Sequence, residues 1–208
     1  MKINIPESNL ERIVIVGGGF AGLLLAKKLL KANYQVVLID KNNYHQFQPL
    51  FYQVAMASLD ASNISFPLRH MFKKSKNVSI RLATVTKIDT LNNALETTCG
   101  NFHYDYLVIA TGATTNYFGN KAIETQAFPM KSTWEALQIR NSLLQHFEDA
   151  VSSKSSKSEK LLSVAIVGGG PTGVELSGAL AEMKRDSLPN EYPELDFTKM
   201  YVYLLEGT

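Results

Sequence analysis

Two short stretches of this sequence carry chemistry by residue type and spacing alone. In the first, Gly17, Gly19 and Gly22 follow the run RIVIV, and Asp40 comes later. In the second, Gly168, Gly170 and Gly173 follow VAIV, and Glu206 comes later. Glycines spaced G-x-G-x-x-G between a strand and a helix have three separate uses. The first permits a tight turn, the second lets a pyrophosphate approach the backbone, and the third lets helix and strand pack closely. The free amides and the positive helix end then favour phosphate oxygens. A carboxylate at the end of the next strand accepts bonds from both hydroxyls of an adenosine ribose and repels a 2′-phosphate. Each stretch therefore reads as a turn for one dinucleotide. Asp40 lies 23 residues after Gly17, but Glu206 lies 38 after Gly168, so Glu206 fits only if the Pro-containing connection before it loops out.

The elements that must position these residues are legible around them. Arg12–Val16 reads as a buried parallel strand, 20–31 as a helix with apolar residues near helical spacing, and 35–39 as a second strand ending on Asp40. Together they form a βαβ unit. The stretch from Lys41 to Asp60 is rich in Asn, Gln and aromatics and reads as a loop with a short helix near 52–57. Another short helix is expected over 66–73. Three strand-like runs follow, 78–89, 94–98 and 101–104, with hairpin turns at Asn92-Asn93 and Cys99-Gly100. Tyr106–Ala110 is a further buried strand, ending in Thr111-Gly112. Ser132 to Glu135 is a capping box, opening a helix to about Val151. The polar run SSKSSKSEK reads as a solvated loop. A strand over 162–167, a helix over 172–185, the connection DSLPNEYPELD and a strand over 200–205 complete the second unit.

Composition narrows the function classes. Apolar residues make up 45% of the 208, enough to bury a core, and a net charge of +2 gives no reason to expect nucleic acid. The basic cluster Arg69, His70, Lys73, Lys74 and Lys76 reads as a solvated helix end and loop. No apolar run approaches the roughly 18–20 residues of a membrane span. The start, MKINIPESNLER, has no signal-peptide core. The single cysteine, Cys99, cannot make an internal disulfide and reads as an inert thiol, which fits a reducing cytoplasm. No metal site is expected.

Two dinucleotide turns in one chain point to two dinucleotides, and FAD with NADH is the usual pair. Glu206 favours NADH over NADPH. In that pair the nicotinamide stacks on the isoalloxazine and passes hydride to it, while the protein orients, excludes water and tunes electrostatics. The expected fold class is α/β: an FAD/NAD(P)-binding Rossmann-like three-layer domain with a β-meander over 1–118, followed over 119–208 by an incomplete second Rossmann-like NAD-binding unit.

The two glycine turns, with YLVIATGA (Tyr106–Ala113) between them, resemble the two-dinucleotide-binding flavoproteins. The stretch DKNNYHQFQPLFYQVA (Asp40–Ala55) is more specific. With GGGPTGVELSGALAE and SLPNEYPELD, it resembles type II NADH:quinone oxidoreductase, the single-subunit, non-pumping NADH dehydrogenase. The resemblance covers nearly the whole chain. It implies that Gly17, Gly19, Phe20 and Ala21 line the FAD pyrophosphate, with Gly22 counted in the same cofactor-binding turn, and that Asp40 and Lys41 meet the adenosine ribose. It implies that His45, Gln48, Pro49 and Leu50 approach the flavin, that Val85 contacts adenine through its backbone, and that Ala110, Thr111 and Gly112 close over FAD. Gly168, Gly170, Gly173 and Glu206 would serve NADH. Glu175 would lie near the nicotinamide and the quinone side as the candidate catalytic residue for electron or proton delivery. Each also has a plainer explanation: His45 as an ordinary hydrogen-bonding histidine, Pro49 and Leu50 as turn formers, and Glu175 as an acid favoured at a helix start.

Related enzymes that use a redox cysteine pair are set aside, because 42–59 contains no cysteine. A flavin-to-quinone route remains, alongside an FAD-dependent NADH oxidase or ferredoxin-type reductase, or a nucleotide-binding fragment without turnover. The resemblance also implies parts that do not follow here: further strands, a late Gly-Asp motif, a quinone-site segment and a C-terminal amphipathic membrane anchor. The chain is thus expected to be the N-terminal half of a longer enzyme at the cytoplasmic face of the inner membrane. Such a half is expected to be cytoplasmic alone, and to dimerise or exchange strands at its open sheet edge.

Overall fold

The computed structural model describes residues 5–153 and 161–207. Most of the polar run, residues 154–160, lies outside them. The chain divides into two compact units. One comprises residues 1–46 with 65–114, the other 47–64 with 115–208. The sequence suggested a single cut near residue 118. The observed division instead assigns 47–64 to the second unit.

In the first unit, β1 (Arg12–Val16) leads through a glycine turn into α1 (Phe20–Lys28), then β2 (Gln35–Asp40) and β3 (Tyr44–Gln46). The chain then leaves for 47–64, which carry α2 (Phe51–Ala55), and returns as β4 (Ser65–Pro67), antiparallel to β3. The helix expected over 66–73 is therefore a strand followed by one helical turn, α3 (Leu68–Met71). The run 78–89 is also two strands. β5 (Val78–Leu82) joins the parallel sheet, and β6 (Val85–Asp89) starts a meander with β7 (Ala94–Thr97) and β8 (Gly100–His103). The break falls at Ala83, whose N–H donates to the Asp40 carbonyl, 2.9 Å. The strand β9 (Tyr106–Ile109) then returns beside β1.

The main sheet runs β5-β2-β1-β9, all parallel. Its two central strands supply side chains to both faces, as a covered parallel sheet requires. Ile13, Ile15, Val36 and Leu38 meet Leu23 and Ala26 of α1 and Leu68 of α3. Val14, Val37 and Ile39 meet Leu95, Phe102 and Tyr104 on the meander side. The period of two along each strand thus divides one sheet between two cores, giving three layers: helices, parallel sheet, meander.

The second unit has a single core. It contains α4 (Lys121–Gln126) and α5 (Thr133–Ser152), and the Ser132 hydroxyl caps α5 by accepting from Glu135 N–H at 3.2 Å. Then come β10 (Val164–Val167), α6 (Pro171–Glu182), a π-helical turn (Met183–Ser187), α7 (Leu188–Glu191) and β11 (Val202–Leu205), which pairs in parallel with β10. Phe147 of α5 is fully buried and meets Phe197 edge-to-face, ring centres 5.8 Å apart. Leu176 and Leu180 of α6 and Phe51 and Val54 of α2 share this core. Among the described residues, no helix is long and apolar enough to cross a membrane.

Candidate functional site

The first glycine turn stands at the carboxyl ends of the parallel strands. Here β1 has β2 on one side and β9 on the other, so the strand order reverses, which is where open α/β sheets bind ligands. Gly17 sits at φ +108°, a left-handed conformation, and its N–H donates to the Ile39 carbonyl at 2.8 Å. A Cβ at Gly17 would strike the carbonyl of Ala110, whose own N–H bonds to Val16 at 2.8 Å. A Cβ at Gly22 would strike the Gly17 carbonyl. At Gly19 a Cβ would meet nothing within 4 Å, so the space above this residue is open to a ligand. Gly19 is the N-cap of α1. No acid stands in its first turn, where the positive helix end favours an anion.

Asp40 closes the arrangement. One carboxylate oxygen accepts the Gly18 N–H at 2.5 Å, the other the Asn42 N–H at 2.6 Å. A carboxylate has about four lone-pair sites, so each oxygen keeps one for a ribose hydroxyl. His45 is buried, and its Nδ1 lies 2.9 Å from the Gly18 carbonyl. A carbonyl can only accept, so Nδ1 carries the proton. Phe20 packs edge-on against the His45 ring, centres 5.2 Å apart. Asp40 and His45 thus hold Gly18 from its N–H and C=O sides.

The second turn repeats these relations. Gly168 sits at φ +114°, and its N–H donates to the Leu205 carbonyl at 2.7 Å. A Cβ at Gly173 would strike the Gly168 carbonyl, and at Gly170 a Cβ would meet nothing. The Gly169 N–H donates to Glu206 Oε2, as Gly18 does to Asp40. The long connection is taken up by the π-helical turn, α7 and a 3-10 turn, so β11 still pairs Leu205 with Val167 and delivers Glu206 to the end of β10.

The remaining sites of interest divide between the units. In the first, Lys41 is exposed beside Asp40, Val85 opens β6, and Ala110, Thr111 and Gly112 extend from β9 with Gly112 at φ +72°. Ala21 is exposed in the first turn of α1. In the second, Gln48, Pro49 and Leu50 form a 3-10 turn. Gln48 and Pro49 line a recess with Phe51, Tyr52, Met130, Lys131, Thr172 and Glu175. Glu175 is the fifth residue of α6, whose first turn holds no acid. The helix dipole acts mainly over the first turn, so it does not account for Glu175. Sequence reasoning passed over Gly18, Gly169 and Lys131. The first two had a signal: both turns read GGG, with a glycine between the two that the spacing rule explains. A Cβ on Gly169 would come 2.7 Å from Glu206 Oε2, and one on Gly18 would come 2.8 Å from Leu68 Cδ1 and 3.2 Å from Asp40 Oδ2.

Residues 11–206 match the model of the pyridine nucleotide-disulphide oxidoreductases. The chain belongs to the pyridine nucleotide-disulphide oxidoreductase family. Within this family it is similar to the type II NADH:quinone oxidoreductase Ndh of Mycobacterium tuberculosis, 40% identical over 202 residues, which is 95% of this chain and 44% of that protein. It is also similar to the mitochondrial external alternative NAD(P)H-ubiquinone oxidoreductase B1 of Solanum tuberosum, 32% identical over 96% of this chain and 37% of that one. Among solved structures, NDH2 of Plasmodium falciparum in complex with NADH superposes with a TM-score of 0.86 at 28% identity, covering 96% of this chain and 42% of that one. The chain thus spans less than half the length of these relatives. This family member has the α/β fold with a Rossmann-like parallel sheet expected from its glycine turns.

Proposed function

We propose that the first glycine turn holds FAD and the second NADH, and that the protein oxidises NADH and passes the electrons to a membrane quinone at the cytoplasmic face. One observation carries the nucleotide assignment. In both turns the middle glycine's amide is tied to the acid that ends the next strand, while the third glycine of the GGG run stays open to a ligand. The quinone rests on the relatives' names.

The bound flavin would supply hydride acceptance and electron transfer. The chain's own residues would bind and orient. Gly19 and the positive N-terminal end of α1 would take the FAD pyrophosphate, and Asp40 the adenosine ribose. Ala110, Thr111 and Gly112 would approach FAD at the switch point, and Val85 its adenine. Gly170 would take the NADH pyrophosphate and Glu206 its ribose. The Glu206 carboxylate at the NADH ribose would repel a 2′-phosphate, so NADH is preferred to NADPH. Glu175, in the recess beside Thr172, would face the nicotinamide end.

The test is to titrate the chain with FAD, add NADH without oxygen, and follow the visible flavin absorption, then add a quinone. Flavin retained, bleached by NADH and restored by quinone is the expected result. A chain that is folded yet retains no flavin overturns the assignment. Bleaching by NADH without restoration by quinone overturns the acceptor alone.

A further inference from the structure

The recess in the second unit is lined by two opposite charges that do not pair. Lys131 comes from the segment before α5 and Glu175 from α6, with Thr172 beside it, and the space they line is about 40 Å³. The backbone of Lys131 is fixed, because its N–H donates to Glu135 Oε2 at 2.6 Å. Neither side chain makes an ion pair or a hydrogen bond with any described residue, while ion pairs form elsewhere, as between Lys87 and Glu96 at 3.1 Å. Both residues are exposed, where an ion pair gains little, and unpaired each keeps its charge for a ligand.

We propose that Lys131 and Glu175 form a balanced charge pair that sets the relative affinity for oxidised and reduced nicotinamide, with Lys131 as a specificity-determining residue. This rests on the reading that the nicotinamide end of NADH reaches this recess. The reduced ring is neutral and the oxidised ring carries one positive charge. The rest of the dinucleotide, pyrophosphate included, is the same in both. A charge beside the ring therefore acts on the ratio of the two affinities, whereas a charge beside the pyrophosphate cancels from it. Glu175 alone would favour the oxidised product and hold it. Lys131 opposes that preference, so hydride loss does not trap the nucleotide. A ligand shifts an equilibrium only through its differential affinity for the two states, and here the pair keeps that difference small.

The experiment measures dissociation constants of the chain for NADH, NAD⁺ and ADP-ribose, which lacks the nicotinamide, in wild type and in Lys131→Met, Lys131→Arg and Glu175→Gln. Lys131→Met is expected to lower the ratio of the NAD⁺ to the NADH constant about tenfold, equivalent to about 1.4 kcal/mol. Glu175→Gln is expected to raise it about tenfold, and Lys131→Arg to leave it unchanged. ADP-ribose affinity should not move in any variant. If Lys131→Met weakens all three ligands by one factor, Lys131 serves the pyrophosphate and the inference is overturned. If all three bind but the ratio is the same in every variant, the inference fails while the NADH assignment stands. If the folded wild-type chain binds none of them, both fail together.

Discussion

Glycines at two positions of one turn should fail in different ways when replaced by alanine. At Gly22 the new methyl would strike the Gly17 carbonyl. That carbonyl cannot swing away, because the Gly17 N–H is bonded to Ile39 and the Gly18 N–H to Asp40. Overpacking costs about 1–3 kcal/mol, and a backbone oxygen as the obstacle argues for the upper end. Alanine in a helix returns about 0.8–1.0 kcal/mol over glycine. The net is a loss of about 2 kcal/mol, or a melting temperature lower by roughly 4–8 °C. At Gly19 the methyl meets nothing, and the backbone angles of −71° and −166° suit any residue. Losing a glycine N-cap costs about 0.5–1 kcal/mol, and a stiffer unfolded chain returns about 0.4–1 kcal/mol. Stability should hardly change. The methyl would, however, stand where the FAD pyrophosphate must approach. Losing one hydrogen bond to a charged group, about 1.5–3 kcal/mol, weakens FAD binding by about 10- to 100-fold. The assays are thermal unfolding by circular dichroism without FAD, and FAD binding by quenching of flavin fluorescence. Gly19→Ala binding FAD like wild type would refute the placement of the pyrophosphate. Gly19→Ala melting as low as Gly22→Ala would refute the steric argument.

Three further outcomes follow from the same geometry. Glu206→Gln removes the charge at the second ribose position, so the preference for NADH over NADPH should shrink by about tenfold, read from the two dissociation constants; an unchanged preference places the adenosine ribose elsewhere. His45→Leu leaves the Gly18 carbonyl without its buried donor, and the chain should lose about 1–3 kcal/mol in denaturant unfolding; no loss would mean that water replaces the imidazole at no cost. Asp60, Asp89 and Asp196 are held below the ordinary carboxylate value of 3.8, first by side-chain hydrogen bonds from Ser62, Asn92 and Thr198 respectively. A depressed carboxylate contributes stability that is present above its unfolded value and lost as pH falls through its folded value. The melting temperature should therefore fall as pH is lowered from 3.8, and a rise there would contradict the assignment.

The first βαβ unit was legible because its signals are local. A strand buried on both faces must be apolar throughout, and the turn after it must be glycine for reasons contained in the turn. Asp40 follows from the same rule of spacing. The misread segments depend on partners far along the chain. Residues 78–89 alternate like one strand, yet β5 pairs with β2 and β6 with β7, and nothing local marks the change of sheet at Ala83. Tyr44–Gln46 looks like a polar loop until Ser65–Pro67 returns to pair with it. Residues 47–64 show no break in composition, and their place in the second unit is decided by Phe51, Val54 and Ile64 entering the core around Phe147. Lys131 carried no local signal, because the fold alone sets it in one recess with Glu175, 44 residues along the chain.

The two glycine turns separate what the motif needs from what its surroundings need. The third glycine is required in both turns by the same internal contact, since Gly22 and Gly173 each pack on the carbonyl of their own first glycine. The central residue of each GGG run, Gly18 or Gly169, is also held internally, by the acid ending the next strand. The first glycine differs. At Gly17 both the left-handed angle and the Ala110 carbonyl exclude a side chain, because β9 runs alongside β1. At Gly168 no described atom lies within 4 Å of the Cβ position, so the φ of +114° is the sole constraint. An angle of +114° lies well beyond the left-handed well near about +57° that asparagine tolerates, so Gly168→Ala should destabilise through backbone strain alone, and Gly17→Ala through strain and collision together and therefore more. A motif that looks identical twice in sequence therefore carries one constraint more in the first copy, and that constraint comes from the neighbouring strand.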